Sequence, residues 1–406
     1  MTDDTIKLFE YQDSDPVAIM VEDLDHVRDA LGTKIAVSGP FQGDVFRLNP
    51  GPNVGVAMLP SGRRLQAHAK VPVHSLLFML GVAHRLSELK HLAASFERLE
   101  EVIEAIALVF ANSVEQRIRR GLYRAYVEHE QNLAAVRGRI AFVQDLRSNF
   151  VLRHRVYCRY SELTWDVPEN QVIRQVAHLL GRWDFAPALR MRLDQIDAAL
   201  AEVTPTMFPA RAIDNFVYHR LNDDYRAIHQ LCRLVLEGAA VSEAEGAFPF
   251  PTFFVDMNKL FERFVTETLL SRGRWPIGVR EQQTKSLDRD GRVEIVPDIF
   301  VDCWSHHAIA IDCKYKRLAP DDFKGPDLYQ VLAYCTASRV DKGLLIYPRH
   351  TGGIIDELSV ANSPVVIRQR TVDLDLAPSL LALEGDRLAE SVIQWAHTAV
   401  SARDAA

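Results

Sequence analysis

The feature that most constrains the fold of this chain is an alternation of apolar and polar residues between Val293 and Lys316. Alternation with a period of two is typical of half-buried β-strands. The segment therefore predicts a β-hairpin with its turn at residues 304–306. The apolar residues of one parity are Val293, Ile295, Ile299, Val301, Ile309, Ile311 and Cys313.

Two carboxylates face each other across this predicted hairpin. With the turn at its centre, Asp298 lies opposite Asp312. The same register places Glu294 opposite Lys316, and a bulge near Pro297 would shift the pairing by one residue. Because like charges that face each other across a strand pair are unfavourable, the two aspartates require a cation close by.

Asp298, Asp312 and Lys314 together form the pattern P-D, a spacer, then D-x-K. The cation is either Lys314, which shares a strand face with Asp312, or a divalent metal ion. Mg²⁺ held by such carboxylates stabilises charge on a phosphate and lowers the pKa of a bound water, which a lysine can orient or activate. The pattern indicates phosphodiester hydrolysis. The alternative is a surface strand with an Asp/Lys ion pair, because a lone D-x-K triplet arises by chance.

Two amphipathic helices flank the hairpin in sequence. Residues 256–273 predict a helix that places Glu262 beside its apolar stripe, where it is either a further carboxylate of the metal site or a solvated charge. Residues 326–337 predict a second helix, with Gln330 and Tyr334 on one face, and a short buried strand follows it. This order of helix, hairpin, helix and strand predicts an α/β core with a mixed sheet.

The order of these motifs resembles the McrC family, the nuclease subunit of McrBC restriction systems, whose catalytic domain is a PD-(D/E)xK nuclease. The resemblance rests on the helix DMNKLFERFV, on PD, on DCK and on LYQVLAY, which matches the Q-x-x-x-Y helix of the RecB-like branch. It implies that Asp298, Asp312 and Glu262 hold Mg²⁺ or Mn²⁺. The residues that it implies as catalytic are Asp298, Asp312, Lys314, Glu262, Gln330 and Tyr334.

The same resemblance implies a partner. In the McrC family the amino-terminal part inserts into a ring of a McrB-like AAA+ GTPase and stimulates it, and the system cuts double-stranded DNA that contains modified cytosine. The chain has no G-x-x-x-x-G-K-[ST] loop, so GTP is expected only on the partner. After Pro72 the sequence departs from the family, because Val73 and His74 stand where a basic residue is usual.

Patterning along the chain predicts an α+β protein of several domains. Residues 1–95 contain short alternating strands separated by turns and predict a β-rich domain, which the resemblance makes the partner-binding domain. From there apolar residues recur at helical spacing, so residues 96–240 predict a helical middle region. The run at 238–251, rich in small residues and prolines, marks the boundary before a nuclease domain at 250–406.

The middle region is rich in arginine. Ten arginines and three acidic residues lie between Arg117 and Arg159, in a chain whose net charge is -7. They form either a solvated face whose stems cover apolar surface or a surface for DNA phosphates or an acidic partner. The candidates for binding DNA or the partner are Arg117, Arg119, Arg120, Arg124, Arg137 and Arg139.

The remaining features narrow the class of protein. No apolar run is long enough to span a membrane, the acidic start is not typical of a signal peptide, and five scattered cysteines suggest reduced thiols in a cytoplasm. These features predict a cytoplasmic protein, and the resemblance implies a metal-dependent DNA endonuclease subunit that is activated by a GTPase ring. Two alternatives remain, a free-standing RecB-like nuclease and a non-catalytic adaptor that stimulates an NTPase partner.

Overall fold

The computed structural model describes residues 5–41, 43–151, 154–239, 251–273, 277–303, 306–316, 325–349 and 356–398. By its internal contacts the chain forms two compact units. The first unit comprises Met1–Ala105 with Ser242–Ala406, and the second comprises Ile106–Val241. The sequence predicted three domains, whereas here both ends of the chain belong to one unit. Most of the predicted boundary at 238–251 lies outside the described residues.

The helices and strands are numbered in chain order. The amino-terminal elements are β1 (Thr5–Phe9), β2 (Val17–Ala18), α1 (Val21–Ala30), β3 (Ala36–Ser38), β4 (Val45–Asn49), β5 (Asn53–Met58), β6 (Arg64–His68), α2 (Val73–Ala83) and α3 (Ser87–Leu92). The middle elements are α4 (Glu100–Arg120), β7 (Ala125–Leu133), β8 (Arg139–Ile140), α5 (Phe142–Asn149), β9 (Val156–Thr164), α6 (Pro168–Leu180), α7 (Pro187–Ala199) and α8 (Tyr225–Gly238). The carboxy-terminal elements are β10 (Thr252–Asp256), α9 (Met257–Arg272), β11 (Ile277–Glu281), β12 (Lys285–Ser286), β13 (Glu294–Ile295), β14 (Ile299–Cys303), β15 (His306–Cys313), α10 (Gly325–Ser338), β16 (Lys342–Pro348), β17 (Leu358–Ser359), β18 (Val366–Val372) and α11 (Pro378–His397).

A four-stranded sheet joins the two segments of the chain that make up the first unit. Its order is β1-β6-β5-β10, with β1 parallel to β6 and the other pairs antiparallel. The strands β5 and β10 approach so closely that a Cβ atom on Gly55 would lie 2.0 Å from the carbonyl oxygen of Phe253, so only glycine fits. Asp256 ends β10 and caps α9 by accepting a 3.0 Å hydrogen bond from the Asn258 amide. The amino-terminal sheet therefore fixes the start of the helix that carries Glu262.

A mixed six-stranded sheet forms the core of the carboxy-terminal part. Its order is β11-β14-β15-β16-β18-β17, in which β15, β16 and β18 are parallel and the other pairs are antiparallel. On one face Phe300 and Tyr347 pack in a buried cluster with Val331 of α10. On the opposite face the Lys342 ammonium donates to the Trp395 carbonyl oxygen of α11 over 2.7 Å. Helices on both faces bury the central strands, as the apolar run of β16 requires, and the predicted α/β core with a mixed sheet is confirmed.

The hairpin predicted from the alternation consists of β14 and β15. Ile299 pairs with Ile311, as the predicted register requires. The irregularity in the pairing lies between Val301 and Asp302, not near Pro297. The predicted turn at 304–306 falls largely outside the described residues, and residue 306 already belongs to β15.

The expected pairing of Glu294 with Lys316 is wrong. Glu294 lies in β13, which pairs with β12, and its partner is Ser286. The segment between β13 and β14 includes Pro297, which has no backbone N–H to donate to a ladder. The hairpin pairing therefore begins only after that proline.

The second unit contains helices and a sheet. The strands β7, β9 and β8 form an antiparallel three-stranded sheet, so the prediction of a wholly helical middle region is wrong for this part. The helical spacing that begins at Phe96 is present as one long helix, α4, which continues through Asn112 and ends before Gly121, whose φ is +91°. Glycine suits that left-handed conformation at a helix end.

The carboxy terminus also differs in one respect from its prediction. The segments PVVIRQR and TVDLDL, whose apolar residues predict two strands after Arg349, instead share one continuous strand, β18, with the short β17 beside it. The apolar spacing near the carboxy terminus also predicts an amphipathic helix, which is present as α11. Across the described residues, no helix combines the length and the apolar character needed to cross a membrane.

Candidate active site

Four segments of the first unit bring the predicted catalytic residues together. Asp298 directly precedes β14, and Asp312 lies near the end of β15. Lys314 follows β15, and its amide donates to the Ile346 carbonyl oxygen over 2.9 Å, which continues the pairing with β16. Glu262 lies in α9. The site is therefore built on the sheet and on the helix that the amino-terminal sheet positions.

Asp298 is held by the strand that carries Asp312. The Cys313 amide donates a 2.7 Å hydrogen bond to Oδ2 of Asp298, so the side chain crosses from one strand of the hairpin to the other. Burial raises the pKa of Asp298, and the Cys313 hydrogen bond and the charge of Lys314 oppose that rise. A half-buried carboxylate with a fixed orientation results.

Asp312 is fully buried beside Lys314. The Lys314 Nζ lies 3.1 Å from Oδ1 and 2.9 Å from Oδ2, but Oδ2 accepts no hydrogen bond of good geometry. Burial, followed by the negative charge of Asp298, raises the pKa of Asp312 to about 7. A buried carboxylate oxygen without a hydrogen bond is costly, and an added cation would relieve that cost.

Glu262 reaches the same cluster from α9. Burial raises the pKa of Glu262, and the charge of Asp298 adds to the rise while that of Lys314 opposes it. Its Oε1 accepts a 2.8 Å hydrogen bond from Nε2 of Gln282. The carboxylate is thus close enough to Asp298 to feel its charge, and a neighbouring amide orients it.

Gln282 is a site residue that the sequence did not reveal. Its backbone has a φ of +41°, which is costly for a residue with a side chain. Its amide donates to the Asp298 carbonyl oxygen over 3.0 Å while its side chain holds Glu262. The segment EQQT carries no spacing or composition that marks this residue.

Gln330 and Tyr334 lie one helical turn apart on α10. Nε2 of Gln330 donates to the Tyr334 hydroxyl oxygen over 2.5 Å. Burial raises the pKa of Tyr334, and the charges of Asp312 and Asp298 also raise it. The tyrosine is therefore within electrostatic reach of both aspartates, and all six residues predicted as catalytic lie in one region.

Asp298 and Asp312 have the chemistry that a magnesium or manganese ion prefers in its ligands. Among the described residues no group of three or more His, Cys, Asp or Glu side chains is arranged so that it could hold a metal ion. Mg²⁺, however, is usually bound by one or two carboxylates together with water and substrate phosphates. Asp298 and Asp312, with the buried Oδ2 of Asp312 lacking a hydrogen bond, meet that requirement, and Glu262 is oriented beside them.

The predicted arginine surface lies in the second unit and divides into two groups. Arg117 pairs with Asp224 over 2.5 Å, Arg124 stacks 4.0 Å from the ring centre of Trp165, and Arg137 stacks on an aromatic ring in the same way. These three have contacts within the protein. The second group is Arg119, Arg120 and Arg139, which are exposed, as Arg124 and Arg137 also are.

Comparison with known proteins gives a family from a family model and a similar fold from solved structures. A family model described as McrBC 5-methylcytosine restriction system component matches residues 48–348. Among solved structures, a chain in a half-complex of Thermococcus gammatolerans McrB AAA+ hexamers with bound McrC is similar, with a TM-score of 0.60 and 19% identity. The match covers 96% of this chain and 100% of that chain, and at this identity the likeness concerns the fold. A chain of the T. gammatolerans McrBC complex also matches, at a TM-score of 0.43 and 22% identity over 68% of this chain and 89% of that chain. No curated protein matches.

Proposed function

The chain belongs to the family of McrBC 5-methylcytosine restriction system components, and from this premise we propose that it is the subunit that cuts DNA. The reaction is hydrolysis of phosphodiester bonds at the cluster of Asp298, Asp312 and Lys314. The substrate is double-stranded DNA that contains modified cytosine.

One observation carries the proposal. Carboxylates from α9, from the start of β14 and from the end of β15 converge beside a single lysine, and one of them is fully buried without a complete set of hydrogen bonds. Burial of acidic groups close together is unfavourable unless a cation compensates. A structural ion pair needs only Asp312 and Lys314 and leaves Asp298 and Glu262 without a role. A metal-dependent phosphodiester hydrolase would use such neighbouring carboxylates to hold or orient its ion and water.

The residues of the cluster have different proposed roles in the reaction. Asp298 and Asp312 would hold Mg²⁺ or Mn²⁺, with Glu262 beside them. When bound, the ion supplies positive charge that stabilises the phosphate as it is attacked. Lys314, held by Asp312, orients the attacking water and adds a second positive charge. Gln330 and the buried Tyr334 would support the site from α10, where the Gln330 amide donates to the Tyr334 hydroxyl.

The proposed partner is a McrB-like AAA+ GTPase ring. The fold matches that of a chain in an assembly of McrB AAA+ hexamers with bound McrC, and the chain itself lacks a nucleotide-binding loop. GTP would therefore act only through the partner. The exposed arginines Arg119, Arg120 and Arg139 are candidates for contact with DNA phosphates or with the ring, because arginine pairs well with both phosphate and carboxylate groups.

The proposal is tested by incubating wild-type protein with methylated or unmethylated plasmid and Mg²⁺, with and without a cognate McrB-like GTPase and GTP. Cleavage of the methylated plasmid that needs both partner and GTP is the expected result. Cleavage by the protein alone would identify a free-standing nuclease. Stimulated GTP hydrolysis without any cleavage would identify an adaptor.

A further inference from the structure

The two residues that follow Lys314 are anchored on both sides of the site. The chain turns here, because the Lys316 amide donates to the Lys314 carbonyl oxygen over 2.9 Å. Lys314 is therefore the last residue of this segment to continue the pairing with β16, and the position of its ammonium depends on how Tyr315 and Lys316 are held.

The first anchor is Tyr315. It is buried, and its hydroxyl donates a 3.1 Å hydrogen bond to Oε1 of Glu10, just beyond β1. The Glu10 carboxylate also accepts from the Lys70 amide, so it is fixed to the amino-terminal sheet. The Tyr315 ring packs against Phe261, with ring centres 5.9 Å apart. Phe261 directly precedes Glu262, so this anchor also contacts the helix that brings the third carboxylate.

The second anchor is Lys316. Its ammonium lies 2.8 Å and 2.6 Å from the two carboxylate oxygens of Asp327. Asp327 is buried in the first turn of α10 and also accepts a 2.7 Å hydrogen bond from the Tyr347 hydroxyl of β16. This ion pair therefore ties the segment to the helix that carries Gln330 and Tyr334.

We propose that Glu10 and Asp327 are positioning residues, which set the place of the Lys314 ammonium by holding Tyr315 and Lys316. This inference rests on the proposed function, since it assigns a means of holding a residue of that site. The physical reason is that catalytic groups need closely defined geometry, and a misplacement of 1 Å can cost about 100-fold in rate. Neither Glu10 nor Asp327 need touch the substrate for this effect.

The consequence is a direct link between the first strand of the chain and the cleavage site. Glu10 and Tyr315 are far apart in sequence, yet both lie in the first unit. A displacement of the amino-terminal sheet would shift Lys314 through the Tyr315–Glu10 hydrogen bond and the contact between the Tyr315 and Phe261 rings. Sequence patterns alone do not suggest this link, because Glu10 lies in an acidic segment of ordinary composition.

Two variants test the anchors separately. Tyr315→Phe removes one hydroxyl and keeps the ring on Phe261, and Asp327→Asn keeps the shape of the side chain and removes its charge. The matched controls are Tyr329→Phe, an exposed tyrosine on the same helix as Asp327, and Asp386→Asn, whose carboxylate pairs with Arg272 at the surface. Each protein is assayed with the GTPase ring, GTP, Mg²⁺ and methylated DNA.

The expected result is a fall of about 10- to 100-fold in the single-turnover cleavage rate of both variants, with DNA affinity, stimulated GTP hydrolysis and melting temperature close to those of the controls. Hydrogen exchange measured on a peptide spanning residues 310–316 provides a readout that does not need activity. We expect faster exchange there in both variants and no change in the controls. This region contains the Lys314 and Lys316 amides.

Wild-type cleavage rates and unchanged exchange in both variants would overturn the inference. An equal loss of GTPase stimulation, DNA affinity and thermal stability would also overturn it, because it would show general damage to the fold. If the wild type itself fails to cleave DNA, the proposed function is wrong. In that case accelerated exchange at 310–316 would still show that Glu10 and Asp327 hold the segment, and unchanged exchange would refute the anchors as well.

Discussion

Replacement of Asp312 by asparagine should make the metal-free protein more stable at alkaline pH. Asp312 is fully buried, and its pKa is raised from 3.8 to about 7, first by burial and then by the charge of Asp298. Asparagine has nearly the same shape but carries no charge. The variant therefore removes the cost of ionising this group and keeps its packing.

The magnitude follows from the pKa. One pKa unit corresponds to 1.36 kcal/mol, so the ionised Asp312 destabilises the folded state by about 4 kcal/mol. The pKa of Asp312 is higher in the folded protein than in the unfolded chain. The folded state with protonated Asp312 therefore has its full relative stability below pH 3.8 and loses it as the pH rises through about 7. The advantage of asparagine should therefore be small near pH 4 and complete near pH 8.

The assay is a melting curve of wild type and Asp312→Asn in EDTA at several pH values between about 4 and 8. A domain of this size changes its melting temperature by about 2–4 °C per kcal/mol, so the gap between the two proteins should widen by several degrees across this range. The exposed Asp290→Asn serves as a control. Added Mg²⁺ should raise the melting temperature of the wild type more than that of the variant. If the difference in melting temperature between the two proteins does not change with pH, the argument that ionised Asp312 destabilises the folded state is refuted.

Three further predictions concern other parts of the protein. Gly55→Ala should destabilise the first unit by more than about 4 kcal/mol, because the new Cβ would lie 2.0 Å from the Phe253 carbonyl oxygen; a melting temperature equal to that of the wild type would contradict this. Gln282→Gly should leave stability within about 1 kcal/mol, since relief of the φ of +41° offsets the lost hydrogen bond to Glu262, but it should slow cleavage; unchanged cleavage would remove Gln282 from the site. Simultaneous replacement of Arg119, Arg120 and Arg139 by alanine should weaken DNA binding and reduce its salt dependence by about one unit of slope for each phosphate that is no longer neutralised; an unchanged slope in a filter-binding titration would exclude these residues from contact with DNA phosphates.

The hairpin and its flanking helices could be predicted because their signals are local. The alternation around Asp298 and Asp312 determines which side chains share a face of the strands, and the apolar stripe of α9 requires a period of 3.6 residues. Ile299 pairs with Ile311 as expected. The positions of most predicted catalytic groups could thus be inferred from the periodic spacing of residues that are close in sequence.

Other parts of the structure depend on contacts between distant residues. The pairing of β10 with β5 joins segments almost 200 residues apart and makes one unit of two predicted domains. The strand β7 lies within a stretch that follows a strongly helical pattern, and its alternating residues are largely polar and half exposed, so its signal is weak. The helix α2 is apolar on nearly all sides, and a buried helix of that kind shows no amphipathic period.

The site residues that could not be predicted from the sequence also depend on contacts between residues that are distant in sequence. Gln282 acts through a backbone conformation and through a hydrogen bond to another element. Glu10 contacts Tyr315 only because the fold brings the end of β1 close to the segment that follows β15. Neither contact has a fixed spacing in sequence, whereas the aspartates and the lysine do.

The central claim is that this chain itself cuts DNA with Asp298, Asp312 and Lys314. The most direct measurement is single-turnover cleavage of methylated DNA with the GTPase ring, GTP and Mg²⁺, comparing wild type with Lys314→Met and Asp298→Asn. We expect cleavage by the wild type and a fall of at least about 100-fold in each variant, with stimulated GTP hydrolysis retained. Cleavage at the wild-type rate by both variants would contradict the account.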